Sequence, residues 1–413
     1  MEHPTPLRWP VLLLALCFQA LPCLSVAPTD SVEISLLTCS PHHEVYALYG
    51  HTALRVCDHT TGEDIAVNYG VFSFDQPHFV TRFIFGLTDY QMGVCSFEQF
   101  CREYAMEGRS VVQQTLDLTA DEKARIVAAL IENARPENVV YRYNFFYDNC
   151  TTRVRDMVMS HIDGKVRISP IFEINPTFRS LTHEMNADYP WARFGNDILL
   201  GVRADRSTTQ KEREFLPLRL QKDFSRARVD RKDGTRRPLV LREEVVVKGG
   251  PQVVEEGFPL RPRTCFLLLF ASTLIITLAE FLLHRRMWVF DALLLVVCGL
   301  AGVVLMLMVF SQHPTVQINL QFFILNPLPL ILAWPVVSRE RKGKRHWWWQ
   351  TWGVLCLVFF FYGFWQDYAE GMVFLALSLL LRCIVNYYFV HRAPTNTSKS
   401  ELQGENGAIK LAL

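Results

Sequence analysis

The sequence predicts two parts with different folds: an α+β domain outside the cytoplasm and a five-helix domain in the membrane. Residues 1–27 show the order of charged, apolar and small residues that is typical of a secretory signal. Residues 28–200 mix strand-like alternation with helix-like periodicity, and residues 264–392 hold five long apolar stretches. Half of the 413 residues are hydrophobic and the net charge is only +1, so no nucleic-acid partner is expected.

The N-terminal segment has Arg8, an apolar core from Val11 to Leu16, and small residues that end at Ala27. This order predicts cleavage after Ala27, with an uncleaved anchor as the alternative. The exported segment then contains an odd number of cysteines: Cys39, Cys57, Cys95, Cys101 and Cys150. In an oxidising compartment, two disulfides and one free thiol are expected, and the pairs considered are Cys39 with Cys57 and Cys95 with Cys101.

The exported domain begins with strand signals. The predicted strands are Val32–Thr38, the segment that runs through Gly50 to Val56, Asp64–Tyr69 and Val111–Leu118. A Thr61-Gly62 turn predicts that the second and third of these strands form a hairpin. Capping patterns at Ser96–Gln99 and Thr119–Glu122 predict two helices.

Residues 141–156, YRYNFFYDNCTTRVRD, are central to the functional hypothesis. The aromatic run predicts an extended segment, and Asn149 offers a helix cap that would make Cys150 the first residue of a helix. The positive end of a helix dipole favours thiolate over thiol, which makes Cys150 a candidate nucleophile. A buried or disulfide-bonded cysteine is the alternative. Tyr147 and Arg153 flank Cys150 and are candidate substrate-binding residues.

A cysteine nucleophile needs a base, and a third group must orient that base. His51 is the leading candidate base because it begins a predicted strand, and papain-like folds pair a helix-start cysteine with a histidine on the neighbouring sheet. Asn68 lies on the partner strand of the predicted hairpin and could fix the tautomer of the imidazole. A turn-closing role for Asn68 is the alternative.

Residues 201–263 are dense in charge and connect the two parts. A helix near Glu214–Phe224 and a strand near Pro238–Val247 are predicted, so the segment is interpreted as the last layer of the domain and a linker to the membrane. A solvated connector is the alternative.

The predicted membrane spans are Thr264–Leu283, Trp288–Phe310, Gln321–Val337, Trp347–Phe364 and Met372–Val390. Arginine and lysine residues cluster at one side of these spans, from Arg285 to Arg392, which predicts that this side is cytoplasmic. A polar, disordered cytoplasmic tail is expected over residues 393–413. Polar residues on the opposite side are candidate substrate contacts or satisfied interfacial groups: His313, Asn319, Gln321 and Asn326.

The chain resembles the lipoprotein N-acyltransferase family known as Lnb. The resemblance is carried by GHTALRV (50–56), VNYGVFSFDQPHFVTRFIFG (67–86), YRYNFFYDNCTTRVRD (141–156) and TFRSL…PWARFGNDILLG (177–201), followed by five spans. The histidine precedes the cysteine, as in circularly permuted papain-like acyltransferases of the lecithin:retinol acyltransferase type and unlike NlpC-type peptidases. The resemblance implies a permuted papain-like domain with Cys150 as nucleophile and His51 as base; Asn68 is an inference from position.

The resemblance also implies a reaction. A phospholipid donates an acyl group to Cys150, and the α-amine of a diacylated bacterial lipoprotein accepts it, with no cofactor. The implied location is the bacterial inner membrane, with the catalytic domain in the periplasm. Two other hypotheses remain open: a membrane-tethered cysteine peptidase or amidase that acts on cell-wall peptides, and a non-enzymatic sensor or scaffold.

Overall fold

The structure, a computed structural model, describes residues 31–44, 47–72, 77–169, 175–251 and 257–392. The predicted signal (1–27) and the predicted tail (393–413) lie outside the described residues. The chain forms two compact units. The sheet unit comprises residues up to Asn186 together with Ser207–Glu255, and the helical unit comprises Ala187–Arg206 together with the chain from Glu256 onward.

The sheet unit is a mixture of strands and helices. Its strands are β1 (Val32–Cys39), β2 (His51–Asp58), β3 (Glu63–Val71), β4 (Asp89–Ser96), β5 (Val111–Leu116), β6 (Val140–Arg142), β7 (Lys165–Ile168), β8 (Ala227–Asp230), β9 (Arg236–Pro238) and β10 (Val240–Val247). Its helices are α1 (Phe79–Ile84), α2 (Phe97–Met106), α3 (Ala120–Asn133), α4 (Cys150–Met159), α5 (Phe178–Met185), α7 (Gln210–Arg213) and α8 (Pro217–Arg226). The predicted α+β class is therefore confirmed.

Seven strands form the main sheet in the order β10-β5-β1-β2-β3-β4-β6, and every neighbouring pair is antiparallel. The predicted β2–β3 hairpin is present, and Gly62 takes a positive φ of 74° in its turn, which glycine adopts without a Cβ clash. Alternate residues of β1 and β2 such as Ile34, Leu36, Leu54 and Val56 enter one buried core with the apolar face of α4. Helix α4 therefore packs directly on strands β2 and β3 of the sheet.

The charged segment after residue 201 contributes structure to the sheet unit. Strand β10 pairs with β5 along the edge of the main sheet, and α8 buries Leu220 and Phe224 in its core. A separate three-stranded sheet has the order β7-β8-β9. Residues 187–206 belong instead to the helical unit, which differs from the predicted end of the exported domain at residue 200.

The predicted disulfide pattern is wrong for Cys39 and Cys57. In the β1–β2 register Cys39 faces His51, whereas Cys57 faces Glu33, six residues away along β1. At about 3.3 Å per residue this separation is about 20 Å, far beyond the reach of a disulfide. All five exported cysteines are free thiols, including Cys95 and Cys101, so the odd cysteine count does not single out Cys150.

The helical unit is built from six helices in the described part of the chain: α6 (Pro190–Leu199), α9 (Pro262–Leu283), α10 (Trp288–Val309), α11 (Leu328–Arg341), α12 (Trp348–Tyr362) and α13 (Met372–Arg392). Three segments among the described residues are long and apolar enough to cross a membrane: Pro262–Leu283, Trp288–Val309 and Leu320–Arg341. Two shorter apolar helices, Trp348–Tyr362 and Met372–Tyr387, correspond to the other two predicted spans.

Charged side chains lie inside the helical unit, and the sequence analysis did not single out this cluster. Arg382 is fully buried and binds the carboxylates of Glu280 and Asp291, each at 2.6 Å. Arg286 pairs with Glu340 at the same cluster. Because an unpaired charge is very costly in an apolar bundle, these pairs hold α9, α10, α11 and α13 together as a set.

Candidate active site

Helix α4 begins at Cys150, as predicted, because Asn149 caps it. The Asn149 side-chain oxygen accepts from the N–H groups of Thr151 and Thr152, both at 2.9 Å, and Thr152 Oγ1 accepts from the Asn149 N–H at 2.8 Å. This reciprocal capping box fixes the first turn of α4. Cys150 therefore lies at the positive end of the helix dipole, where a thiolate is favoured.

The cap is itself held from outside the helix. Asn149 is 3% exposed, and its side-chain NH₂ donates to the carbonyl oxygens of Phe145 and Phe215, both at 2.9 Å. Phe145, Phe146 and Phe215 pack edge-on against one another with Phe178 nearby. The aromatic run before Cys150 is therefore packing that fixes the position of the cap.

His51, Asn68 and Cys150 come together in the sheet unit. His51 is the first residue of β2, and the β2–β3 register pairs Ala53 with Asn68, so Asn68 is diagonal to His51. The Asn68 side-chain oxygen lies 3.0 Å from His51 Nε2, and the His51 side chain hydrogen-bonds Cys150. Because Nε2 faces Asn68, Nδ1 is left for the Cys150 sulfur.

The pKa of Cys150 is lowered to about 7. Burial raises the pKa, but the charge of His51, the hydrogen bond from His51 and the backbone N–H of Thr52 together outweigh burial. The pKa of His51 is raised above its ordinary value, because the Cys150 thiolate and two side-chain hydrogen bonds outweigh the opposing effect of burial. Near neutral pH the pair can therefore exist as thiolate and imidazolium.

Two groups in the surroundings of Cys150 are candidate donors to a developing oxyanion. Asn149 already occupies the N–H groups of Thr151 and Thr152, which leaves the N–H of Cys150 itself in the first turn. The Tyr141 hydroxyl is buried without a hydrogen-bond partner and is a second donor that the sequence analysis did not assign.

Gly70 keeps space open beside the sulfur. A Cβ added there would lie 3.6 Å from Cys150 Cβ and 3.9 Å from both the Tyr141 hydroxyl oxygen and a Tyr90 ring carbon. Gly70 has a φ of 96°, which side chains with a Cβ rarely adopt. Cys150, Tyr141 and Tyr90 therefore surround one small space at a position that favours glycine.

Two family models match the chain. Residues 24–184 match the Lnb N-terminal periplasmic domain, and residues 254–393 match the Lnb transmembrane domain. The chain belongs to the Lnb family. It is a membrane protein with a periplasmic domain, and no curated protein or solved structure gave a significant match.

Tyr147 and Arg153, predicted to bind substrate in this Lnb protein, occupy different environments. Tyr147 is 38% exposed and contacts the Phe178 ring edge-on. Arg153 binds both oxygens of Asp148, at 2.6 and 2.8 Å, and its guanidinium lies 3.5 Å from the centre of the Tyr141 ring. Burial raises the pKa of the Tyr141 hydroxyl, and the charge of Arg153 opposes part of that rise.

The polar residues predicted as substrate contacts in the Lnb membrane domain have different roles in the structure. Asn319 donates to the Ile198 carbonyl at 2.7 Å and caps the short 3₁₀-helix Leu320–Phe323. Asn326 is buried and hydrogen-bonds Phe323 and Leu328 across the break before α11. These bonds favour structural roles for both asparagines.

The remaining two polar residues of that group also differ. Gln321 is fully buried and donates to the Asp197 carbonyl at 2.9 Å, so it holds α6 within the helical unit. His313 lies half-buried in the segment between α10 and the 3₁₀-helix. Among these four described residues, the hydrogen bonds above give no structural role to His313, which remains a candidate substrate contact.

Sequence reasoning missed Thr52, Gly70 and Tyr141. Thr52 and Thr151 bond to each other through their hydroxyls at 3.1 Å, which ties β2 to α4 directly beside the pair. The signal for Gly70 was present, because a glycine that follows an alternating strand indicates an irregularity. The register does shift between Asn68 and Val71, at Gly70.

Proposed function

We propose that this protein is a lipoprotein N-acyltransferase that works through an acyl thioester on Cys150. The observation that carries the proposal is the hydrogen-bonded arrangement of Cys150, His51 and Asn68 at the start of α4, in a chain with both Lnb domains. Cys150 acts as nucleophile, His51 as general base and acid, and Asn68 orients the imidazole.

The first half-reaction is the acylation of Cys150. The sulfur attacks an ester carbonyl carbon of a phospholipid, so that a C–S bond forms and the ester C–O bond breaks. The imidazolium of His51 gives its proton to the departing alkoxide, and a lysophospholipid leaves. The N–H of Cys150 and the Tyr141 hydroxyl stabilise the oxyanion of the tetrahedral intermediate, which forms after attack on the ester and before the alkoxide leaves.

The second half-reaction transfers the acyl group. The α-amine of a diacylated lipoprotein attacks the thioester carbonyl, so that a C–N bond forms and the C–S bond breaks. His51 accepts the proton from the amine, and the thiolate and imidazolium pair is restored. The products are an N-acylated lipoprotein and free Cys150, so protons balance over the cycle.

The surroundings of Cys150 support acyl transfer over hydrolysis of cell-wall peptides. Tyr90 and Tyr143 are half-buried and pack in the same core cluster as Cys150. An apolar, aromatic boundary suits an acyl chain, whereas a peptide requires polar groups that pair with its backbone. The proposed site is the outer side of the bacterial inner membrane, where the donor lipid and the acceptor lipoprotein both lie.

Mass spectrometry of the Cys150 peptide tests the proposal. Detergent-solubilised protein incubated with phospholipid alone should gain one acyl mass on this peptide and release lysophospholipid. A diacylated lipopeptide with a free α-amine should then remove that mass and appear as the triacylated form. Cys150→Ser should show neither step, whereas Cys101→Ser, which removes a half-buried thiol on α2, should retain both. No acylation from any phospholipid, together with cleavage of short cell-wall peptides, would support the peptidase alternative.

A further inference from the structure

The cap of α4 depends on a carbonyl group that lies 66 positions further along the chain. The Asn149 side chain donates to the Phe215 carbonyl oxygen at 2.9 Å, and both residues are almost fully buried. Phe215 lies in the short connection between α7 and α8, where its neighbours Glu214 and Leu216 are also buried. The position of Cys150, which follows the cap, therefore depends on what holds this connection in place.

Arg155 of α4 binds the same part of the chain a second time. It is 6% exposed, and its Nη1 donates to the Lys211 carbonyl oxygen at 2.9 Å. Its Nε and Nη2 donate to the two carboxylate oxygens of Asp156 at 2.9 and 3.0 Å, which fixes the plane of the guanidinium group. Helix α4 thus contacts both ends of residues 211–215, which are called the anchoring segment below.

A buried carboxyl group lies within the anchoring segment. Glu214 is 2% exposed, and its Oε2 lies 3.7 Å from Arg155 Nη1. Burial raises the pKa of Glu214 to about 8, although the charge of Arg155 opposes this rise, so the carboxyl group is mostly protonated at pH 7. The protonated carboxyl can donate to the Asp223 side chain, with which it hydrogen-bonds. Glu214 therefore connects α4 to α8.

Asp223 completes the network on the side of α8. Its carboxylate accepts from Gln210 Nε2 at 3.2 Å and pairs with Arg226. The charged groups around Glu214 come from three helices: Arg155, Asp156, Lys211, Asp223 and Arg226. Removing a buried member leaves its buried neighbours without a charge or hydrogen-bond partner, so these groups hold the anchoring segment as a unit.

We propose that Arg155 and Glu214 are positioning residues for Cys150, because they fix the anchoring segment and, through it, the Asn149 cap. The inference deepens the proposed function and rests on it only for the role of Cys150 in acyl transfer. The anchoring segment lies outside residues 24–184, which match the Lnb N-terminal periplasmic domain. Part of the support for the nucleophile therefore comes from beyond the matched domain.

A loosened cap should change the acidity of the Cys150 thiol. The charge and hydrogen bond of His51 and the Thr52 N–H lower the pKa of this thiol, and each acts only while the first turn of α4 stays in place. Loss of either positioning residue should therefore raise the pKa of Cys150. A direct effect of charge predicts a different pattern, because loss of the Arg155 cation would raise that pKa and loss of the Glu214 acid would not.

The pH dependence of Cys150 alkylation by iodoacetamide tests the proposal. In the full-length protein, Arg155→Met and Glu214→Leu should both move the inflection of the rate upward by about half a pH unit or more. Glu214→Gln, whose amide can still donate to Asp223, should keep the native inflection. An inflection at or below the native value in Glu214→Leu would overturn the proposal, as would equal upward shifts in Glu214→Gln and Glu214→Leu.

Arg237→Met is the matched control for the loss of a buried arginine. Arg237 is also 6% exposed and binds both oxygens of Glu122, at 2.7 and 2.6 Å, but it lies on β9 of the separate three-stranded sheet. This variant should lose thermal stability while its Cys150 inflection stays near 7. A shift as large as that of Arg155→Met would show that general destabilisation moves the inflection, and it would overturn the positioning role.

A double-mutant cycle tests whether Arg155 acts through the cap. Asn149→Ser keeps a capping side chain on α4 that is too short to reach the Phe215 carbonyl. Because this change already breaks the contact with the anchoring segment, adding Arg155→Met should move the inflection by less than about half of its shift in the native background. Additive shifts would overturn the proposed role of Arg155. If Arg155→Met does not fold, Arg155→Lys, which keeps the charge but not the planar fork, takes its place under the same criterion.

Alkylation needs no lipid substrate, so its result is independent of acyl transfer. Shifted inflections would establish the two positioning residues even if no phospholipid acylates Cys150, in which case the proposed function alone fails. Acylation of the native protein, combined with native inflections in Arg155→Met and Glu214→Leu, would overturn the positioning role alone.

Discussion

Asn68 Oδ1 lies 3.0 Å from His51 Nε2, on the strand next to the one that His51 begins. An acceptor at this distance keeps the Nε2 proton in place and turns Nδ1 toward the Cys150 sulfur. The neutral imidazole can then accept a proton from the thiol, and the imidazolium can later return it to a leaving group. In the proposed mechanism, the amide therefore determines which ring nitrogen performs acid–base chemistry.

The first prediction concerns this amide. Asn68→Ala should lower kcat for acyl transfer about tenfold with little change in KM, because the imidazole loses its preferred tautomer while the substrate contacts remain. Steady-state kinetics with a lipopeptide acceptor measures both constants. Asn138→Ala is the control, because the Asn138 side chain lies outside the site and bonds Glu132 near the end of α3. An Asn68 variant with the native kcat would remove Asn68 from the mechanism.

The second prediction concerns the pH dependence of Cys150 alkylation. The pKa of Cys150 is about 7, so its rate of reaction with iodoacetamide should rise with pH and level off above an inflection near 7. Cys57, whose pKa is raised chiefly by burial, should react more slowly at pH 7 and serves as the internal control.

His51 links that pH profile to turnover. In His51→Gln the Cys150 inflection should move to higher pH, because the neighbouring positive charge is lost, and turnover should fall by about a hundredfold or more. Alkylation profiles of the two proteins, read peptide by peptide, give the comparison. An unchanged inflection, or a fully active His51→Gln enzyme, would assign the base to another histidine, with His43 the next candidate.

The third prediction concerns the Tyr141 hydroxyl. Tyr141→Phe should slow acylation of Cys150 about tenfold to a hundredfold, the range expected when one oxyanion donor is removed. Tyr69→Phe is a matched control, because the Tyr69 hydroxyl is also buried without a partner, but Cys150 is not among the groups that shift the Tyr69 pKa. Equal effects of both changes on rate and on thermal stability would indicate a packing role for Tyr141.

The fourth prediction concerns the buried ion pairs of the helical unit. Arg382→Met removes the closest cation from Glu280 and Asp291, which keep only the more distant Arg286 at 3.8 and 3.6 Å, and it should destabilise the protein by about 3 kcal/mol. A maleimide dye that reacts with the buried thiols Cys298 and Cys356 on unfolding reports the change during heating in detergent. Lys344→Met, at an exposed residue, should leave the transition in place. A native-like Arg382→Met transition would show that these charges contribute little to stability.

The fifth prediction concerns membrane topology. A reporter inserted between Asp367 and Glu370 should report the periplasm, and one fused after Val390 should report the cytoplasm, because the basic flanks follow the positive-inside pattern. Paired alkaline phosphatase and green fluorescent protein fusions at both positions provide the measurement. The reverse pattern would place the candidate active site on the wrong side for a lipoprotein acceptor.

Local signals predicted much of the sheet unit. The β2–β3 hairpin and the start of α4 depend on a turn glycine and a capping asparagine, each close in sequence to the element it fixes. The same locality allowed His51 and Asn68 to be placed on adjacent strands. Contacts between distant residues were out of reach: Asn149 bonds Phe215 across 66 positions, and Arg382 bonds Glu280 across 102. No periodicity in either segment specifies such a partner.

The disulfide prediction failed for a related reason. Counting cysteines gives their number and parity, but register decides their separation, and the antiparallel pairing of β1 with β2 puts Cys39 and Cys57 at opposite ends. The membrane asparagines show the same limit. The positions of Asn319 and Asn326 relative to the predicted spans were visible in the sequence. The carbonyl oxygens that accept their hydrogen bonds are determined by the fold.

The division of the chain between its two units bears on how such a protein can be inherited and exchanged. The sheet unit is interrupted at Asn186, resumes at Ser207 and supplies its edge strand β10 only afterwards. The two family models leave residues 185–253 between them, where this strand and α6 both lie. A recombination event with a single junction at residue 200 would deprive β5 of its edge neighbour β10. A junction at residue 255 would separate α6 from Asn319 and Gln321, whose side chains donate to its carbonyl oxygens. We therefore expect the two domains to be inherited together as one gene and not to be exchanged separately by recombination.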